Sequence, residues 1–323
     1  MVKFRRVPVG AVELKVAIQG DGPLVVMIHG FPESWYSWRH QMGPIAAAGF
    51  TACAIDVRGY GGSDKPHPVE AYDLESLSGD VAGLIEALSP GRPAVVLGHD
   101  WGAPIAWTTA LVHPEQVRAV AGFSVPYGGI PKVSLSDVIK QIYTSQGRFF
   151  YQDYFAVEGV AEAELEADVR GGLRRLYYAW SGDASPAIWF SEKRIGDKLL
   201  TGFPDPDPFP PWLSDADLDF FVREFESSGF RGPLNRYRNH DRDFAFLRRF
   251  QGRRIEQPAL FIAGERDGVL SMFGDLLTPM KAELADLRGL HLLPGCGHWT
   301  QQERPEAVNE VLLPWLTGLG SQD

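Results

Sequence analysis

A carboxylate at Asp100, an imidazole at His298 and a second carboxylate at Asp267 are the residues of this chain best placed to do chemistry. The run Ala94-Val95-Val96-Leu97 is short, apolar and partly β-branched, so it predicts a buried strand. Gly98-His99-Asp100-Trp101-Gly102 follows it, and the helical stretch Ala103 to Val112 follows that. Strand, glycine-flanked turn and helix form the sharp elbow that presents a nucleophile in G-x-S-x-G enzymes, here with aspartate in the serine position. A carboxylate in that position attacks an sp³ carbon, displaces a leaving group and remains as an alkyl ester on the protein. Taken alone, G-x-D-x-G is a weak match that better describes a strand-ending aspartate capping the next helix.

Further loops after predicted strands argue for the elbow. His29-Gly30-Phe31-Pro32 follows Leu24 to Ile28 and can present the Phe31 N–H outward. With the N–H of Trp101 it would make a two-donor oxyanion hole. Gly264-Glu265-Arg266-Asp267 offers Asp267 as the acid that orients a histidine, although a turn aspartate fits the same residues. Gly295-Cys296-Gly297-His298-Trp299 sets a histidine between small residues in a short loop, where packing gives it no purpose and a catalytic base does. The order Asp100, Asp267, His298 is the nucleophile–acid–base order of this strand–turn–helix class.

The elements that must hold these loops alternate between strand and helix. Strands are expected over Val2–Arg6, Val12–Gln19, Leu24–Ile28, Ala52–Ile55, Ala94–Leu97 and Arg118–Phe123, with helices over Trp38–Ala48, Leu74–Leu88 and Ala103–Val112. That rhythm predicts a mostly parallel, doubly wound α/β sheet, whose ligands sit at the carboxyl edge of the strands. From about Lys132 to about Phe250 the alternation stops, and helical segments, many aromatics and the proline-broken Phe203–Trp212 take over. It resumes with a strand at Ala259–Ile262, a helix at Gly274–Leu284, a strand at Leu290–Leu293 and a helix at Glu306–Leu316. The expected organisation is a core of 1–131 and 251–323, with a mainly helical cap, 132–250, inserted after the sixth strand.

Composition narrows the function. The 323 residues are 45% hydrophobic and 12% aromatic, enough for a large core and an apolar pocket. A net charge of −10 argues against nucleic acid as a partner. The arginines at 248, 249, 253 and 254 read as a solvated helix end. No apolar run approaches the ~18 residues of a membrane span, and Met1 to Val9 does not look like a signal peptide. Two cysteines cannot frame a disulfide scaffold and suit a reducing, cytoplasmic setting. Cys53 reads as a small buried hydrophobe; Cys296, two residues before His298, is a candidate reactive thiol.

The chain resembles the α/β-hydrolase-fold epoxide hydrolases, the soluble enzymes of animals, plants and bacteria. The resemblance rests on His29-Gly30-Phe31-Pro32-Glu33-Ser34, the elbow, Tyr151-Gln152 running into Gly159-Val160-Ala161-Glu162, Ser228 to Asn235 leading to Tyr237, and Gly297-His298-Trp299. It implies Asp100 as nucleophile, Asp267 and His298 as the charge pair, and Tyr151 with Tyr237 as donors to the epoxide oxygen. It implies Phe31, Trp101, Gln152 and Trp299 as substrate contacts, the Phe31 and Trp101 N–H groups as oxyanion donors, and a cis Phe31-Pro32 bond. Its partners would be a small lipophilic epoxide and water, with homo-oligomers open and no cofactor or metal. The phosphatase domain of the vertebrate enzyme has no counterpart, so no second activity is expected. Arg236, where the family pattern leads one to expect an aromatic residue, departs from it and is expected to alter the cap pocket rather than the chemistry.

Two other readings compete. A haloalkane or haloacid dehalogenase shares the aspartate and histidine, but a departing halide needs no proton and so no phenols. A non-catalytic ligand-binding protein of the same fold would be expected to lack some of these groups. Tyr177, Tyr178, Trp180, Trp189, Phe190, Phe209 and Trp212 are the pool from which an apolar pocket wall would be drawn.

Overall fold

The computed structural model describes residues 1–185, 188 and 193–320. Eight strands form one sheet in the order β1-β2-β4-β3-β5-β6-β7-β8. These are β1 (Lys3–Val9), β2 (Val12–Gln19), β3 (Leu24–Ile28), β4 (Thr51–Ile55), β5 (Ala94–His99), β6 (Val117–Phe123), β7 (Ile255–Gly264) and β8 (Leu284–Leu293). Only β2 runs against its neighbours; β3 to β8 are parallel. Every residue of β3 and β5 is buried, because helices cover both faces of the sheet. The helices α1 (Arg39–Ala47), α2 (Leu74–Leu88) and α3 (Gly102–Val112) belong to this first part of the core. The two faces carry separate apolar clusters, one around Val26, Val96, Ala106 and Leu84, the other around Met27, Leu97, Trp38 and Leu312.

Between β6 and β7 lie α4 (Leu135–Ile142), α5 (Tyr151–Ala156), α6 (Val160–Ala167), α7 (Val169–Trp180), α8 (Asp215–Ser228), α9 (Arg231–Asn235) and α10 (His240–Leu247). Phe203 to Trp212 is neither helix nor strand, as its prolines require. The chain closes with α11 (Val269–Met272), α12 (Leu277–Glu283), α13 (Thr300–Glu303) and α14 (Pro305–Thr317). Among the described residues no helix is long and apolar enough to cross a membrane.

The expected elements hold, with one clear correction near the C-terminus. β8 begins at Leu284, six residues before the predicted Leu290, and the helix expected from Gly274 starts only at Leu277. β8 is the edge of the sheet and largely solvent-facing, so Asp286, Arg288 and His291 interrupt the apolar run that marks a buried strand. Gly274 has a left-handed backbone (φ 83°), and Asp275 Oδ1 accepts the Leu277 and Thr278 N–H groups, which starts the helix later.

Candidate active site

Asp100 stands at the end of β5 with φ 50°, the strained backbone that an elbow imposes on its central residue. The flanking glycines let the elbow close. A Cβ on Gly98 would lie 2.0 Å from the Gly102 carbonyl oxygen, and one on Gly102 would lie 2.2 Å from that of Ile28. The Asp100 side chain does not cap α3, which has no side-chain cap. Its Oδ1 accepts the Phe31 N–H at 2.8 Å and its Oδ2 lies 3.2 Å from His298 Nε2. Phe31-Pro32 is cis. Trp101 stands at the N-cap of α3, where the first backbone N–H groups point out of the helix end.

His298 is buried between two carboxylates. Its Nδ1 faces both oxygens of Asp267, at 3.1 and 3.0 Å, and Asp267 Oδ1 also accepts the Val269 N–H, so the turn role and the histidine role coexist. Burial alone would lower the His298 proton affinity, but Asp267 and Asp100 outweigh it and hold it well above the usual histidine range.

The loop carrying His298 is pinned from several sides. Its N–H donates to Trp180 O at the end of α7, and its carbonyl accepts from Ser124 Oγ (2.7 Å) and His99 Nε2 (2.8 Å). Ser124 reaches it from a positive-φ backbone just after β6. Glu303 accepts three N–H groups, those of Gly297 and Trp299 on either side of His298 and that of Gly182 beyond α7. Glu33 accepts from Gly30 N–H and stands 2.7 Å from His99 Nδ1, while Gln302 donates to its other oxygen. Burial pushes the Glu33 carboxyl up, yet the charge and hydrogen bond of His99 bring it to about 2. The sequence motifs give Glu33 and His99 no role and do not mark Glu303 or Ser124. Glu33, His99 and Ser124 are far from His298 in sequence, and Glu303, although close, carries no local signal of its three N–H partners.

Above Asp100 the helical insertion places Tyr151 at the start of α5 and Tyr237 just past α9, with ring centroids 6.1 Å apart. Tyr237 is buried and Tyr151 partly so; loss of solvent raises the proton affinity of both phenols first, with the Asp100 charge raising it further, so both stay neutral donors. Gln152 Nε2 donates to Tyr151 Oη at 2.8 Å, so it meets the phenol instead of the cavity wall. Tyr237 lies edge-on to Phe31 and Trp101.

Phe31, Asp100, Tyr151, Tyr237, His298 and Trp299 all border one cavity of about 20 Å³. That is room for a single water. Phe155, Leu176, Trp180 and Leu199 complete its apolar wall. Of the expected aromatic pool, Trp180 borders the cavity and Tyr177, Tyr178, Phe209 and Trp212 do not. Tyr177 instead donates its hydroxyl to Pro32 O, and Tyr178 donates to Asp183 O. Trp189 and Phe190 lie outside the described residues. Cys296 is fully buried and burial pushes its thiol up, which removes it as a reactive group. Cys53 is buried as expected and is pushed up to about 12. The arginines at 248, 249, 253 and 254 are exposed.

A nucleophile elbow at the end of the fifth strand, with its acid and histidine after the seventh and eighth, defines an α/β hydrolase, and a profile of the alpha/beta hydrolase fold matches residues 23–305. The chain is similar to Epoxide hydrolase B of Mycobacterium tuberculosis, 40% identical with 93% of this chain and 92% of that protein covered. It is 38% identical to the pig Bifunctional epoxide hydrolase 2 over 94% of this chain, which spans 53% of that protein. Among solved structures, an epoxide hydrolase from an endophytic Streptomyces superposes with a TM-score of 0.94 at 44% identity, covering 98% of this chain and 96% of that one. Epoxide Hydrolase A from Mycobacterium thermoresistibile gives 0.93 at 38% identity over the full length of both chains. The chain belongs to the α/β-hydrolase-fold epoxide hydrolases.

Proposed function

We propose that this enzyme hydrolyses small lipophilic epoxides to vicinal diols through an alkyl ester on Asp100, with residues 132–250 acting as a cap over a core of 1–131 and 251–323. The observation that carries the reading is the cavity itself. A carboxylate held by a backbone N–H and a histidine faces two neutral phenols across one shared, largely apolar cavity. Opening an epoxide releases an alkoxide, a poor leaving group that a phenol can protonate or hydrogen-bond at neutral pH. A departing halide has no use for such donors, which disfavours the dehalogenase. A ligand-binding protein has no use for a histidine poised between two carboxylates.

In the proposed cycle an oxygen of Asp100 attacks a ring carbon in line while Tyr151 and Tyr237 hold the epoxide oxygen. The Asp100 charge is then gone, and with it part of what raises the His298 proton affinity. His298, still held by Asp267, gives up its resting proton to the tyrosine that lost one, then takes a proton from water, and the hydroxide adds to the ester carbonyl. Negative charge builds on that carbonyl oxygen where the Phe31 N–H waits, with the Trp101 N–H as second donor. The two free cysteines fit a reducing compartment, and we place the enzyme in the cytoplasm with epoxide and water as its small-molecule partners.

The test is a single turnover of styrene oxide, enzyme in excess, in ¹⁸O-water. Ester chemistry puts an unlabelled carboxylate oxygen into the first diol and leaves label on Asp100. Fully labelled diol in that turnover would overturn the covalent step, and no diol at all would overturn the activity.

A further inference from the structure

Arg236 is the residue immediately before Tyr237, and it is 3% exposed. Its guanidinium carbon sits 4.6 Å from the centroid of the Trp101 ring. Nη1 donates to Tyr72 O and Nη2 to Asp243 Oδ2, while Nε has no hydrogen-bond partner among the described residues. The same indole meets Tyr237 edge-on at 5.3 Å and His240 nearly parallel at 5.9 Å. Trp101 is thus a platform shared by a fixed cation, a candidate acid and a neutral imidazole.

A buried cation is costly, and an apolar side chain of similar size would fill the same slot at less cost. Burial lowers the Arg236 proton affinity to about 10, so it stays charged at neutral pH. Burial first, then the Arg236 charge, hold His240 down to about 3, so His240 adds no second charge. The position of this charge, beside Tyr237 and on the residue that follows the nucleophile, calls for a reason beyond filling space.

We propose that Arg236 is an electrostatic positioning residue for Tyr237, stabilising the negative charge that moves to the epoxide oxygen and the phenol as the ester forms. The inference rests on the assignment of Tyr237 as an acid. During that step the Asp100 oxygen–carbon bond forms and a ring carbon–oxygen bond breaks. The electron pair goes to the epoxide oxygen, which takes the proton of Tyr237 or Tyr151, so the charge that leaves Asp100 arrives on a phenolate. The resting proton of His298 then restores the phenol, and the proton released when water cleaves the ester restores His298. Arg236 faces the first of these charge movements through Trp101 and Tyr237. The second builds charge on the Asp100 carbonyl, where backbone N–H groups, that of Phe31 at 2.8 Å among them, meet it directly.

Stopped-flow tryptophan fluorescence with styrene oxide separates ester formation from ester breakdown. Arg236→Met should slow ester formation about tenfold, as loss of one nearby charge in a partly dry site implies, and leave ester breakdown within about twofold. Arg236→Lys, which keeps the charge, should recover most of the loss. If Arg236→Met does not yield folded protein, as thermal unfolding will show, Arg236→Gln takes its place as the neutral variant. Ester formation unchanged in the neutral variant, equal slowing of both steps, or a lysine variant as slow as the neutral one would each overturn the proposal, the last two pointing to a bracing role. Tyr237→Phe is measured alongside. Normal ester formation in that variant removes the acid assignment itself, whereas slow formation there with a normal Arg236→Met removes only the role of Arg236.

Discussion

Removing the carboxylate of Glu303 should loosen the loop that carries His298, the proposed base. The side chain is 4% exposed and accepts the Gly182, Gly297 and Trp299 N–H groups at 2.9, 2.9 and 3.0 Å. Glu303→Ala leaves three buried donors unmet. At about 1–3 kcal/mol each, less the one donor that an entering water can recover, the loss is about 2–6 kcal/mol. In a chain of this size that is a fall in melting temperature of about 3–9 °C. Glu303→Gln keeps one oxygen for two donors but sets an amide against the third. It should lie near the low end, because burial holds the carboxyl above its ordinary range and the neutral amide escapes that cost. Two of the three donors flank His298, so activity should fall as well, on the order of 100-fold for a displacement of about 1 Å. Rapid-mixing kinetics should show ester breakdown slowed and ester formation spared, since only breakdown needs the base. An alanine variant that melts within about 2 °C of wild type, or one that breaks down ester at the normal rate, refutes the reasoning.

Two further outcomes follow from the same geometry. A Cβ at Gly30 would stand 2.3 Å from Asp100 Oδ1, so Gly30→Ala should displace the carboxylate from the Phe31 N–H and lower turnover ~100- to 1000-fold while circular dichroism stays native; near-normal turnover would show that the loop yields easily. Glu33 is held at about 2 against an ordinary value of 4.5, and a depressed acid contributes stability above its unfolded pKa that is lost as pH falls through the folded one. Glu33→Gln should therefore cost about 3 kcal/mol in urea unfolding at neutral pH, with the gap to wild type closing between about pH 5 and pH 2; a gap that persists undiminished at pH 2 means the carboxylate is not its source.

The sheet was legible wherever burial on both faces produced an unbroken apolar run, as in Leu24–Ile28 and Ala94–Leu97. It was illegible at β8, where an exposed edge admits charges that mimic a loop. The loops of the site were readable for a related reason. Glycines at 98, 102 and 297 mark places where backbones press together, and Gly297 lies against Ser181 and Gly182, so a polar residue set between them is there for chemistry and not for packing. What could not be read is the set of groups that act through contacts between distant segments. Glu33 meets His99 across 66 positions, and His99 meets the His298 carbonyl across 199. Nothing local marks Glu303 as the acceptor for both neighbours of His298, except that it follows within one short helix. Arg236 was legible as a departure, but its seat on Trp101 was not.

The carboxylates of the site follow one rule that joins its positions to its chemistry. Asp100, Asp267, Glu33 and Glu303 each accept at least one backbone N–H, from Phe31, Val269, Gly30 and the residues beside His298. Each loop therefore fixes a charge, and each charge fixes a loop, which is how irregular backbone at a sheet edge acquires the rigidity that catalysis needs. His298 alone lies between two of these charges, and in the proposed cycle only one of them is permanent. While Asp100 is free, both carboxylates favour the protonated ring, which suits a carboxylate that must stay ionised to attack. Once Asp100 is an ester, Asp267 acts alone, the ring gives up its proton more readily, and the base is available in the state that has an ester to cleave. A further permanent carboxylate beside His298 would keep the ring charged after Asp100 is consumed and hold the cycle at the ester. In the proposed cycle the nucleophile thus switches the base on by being consumed.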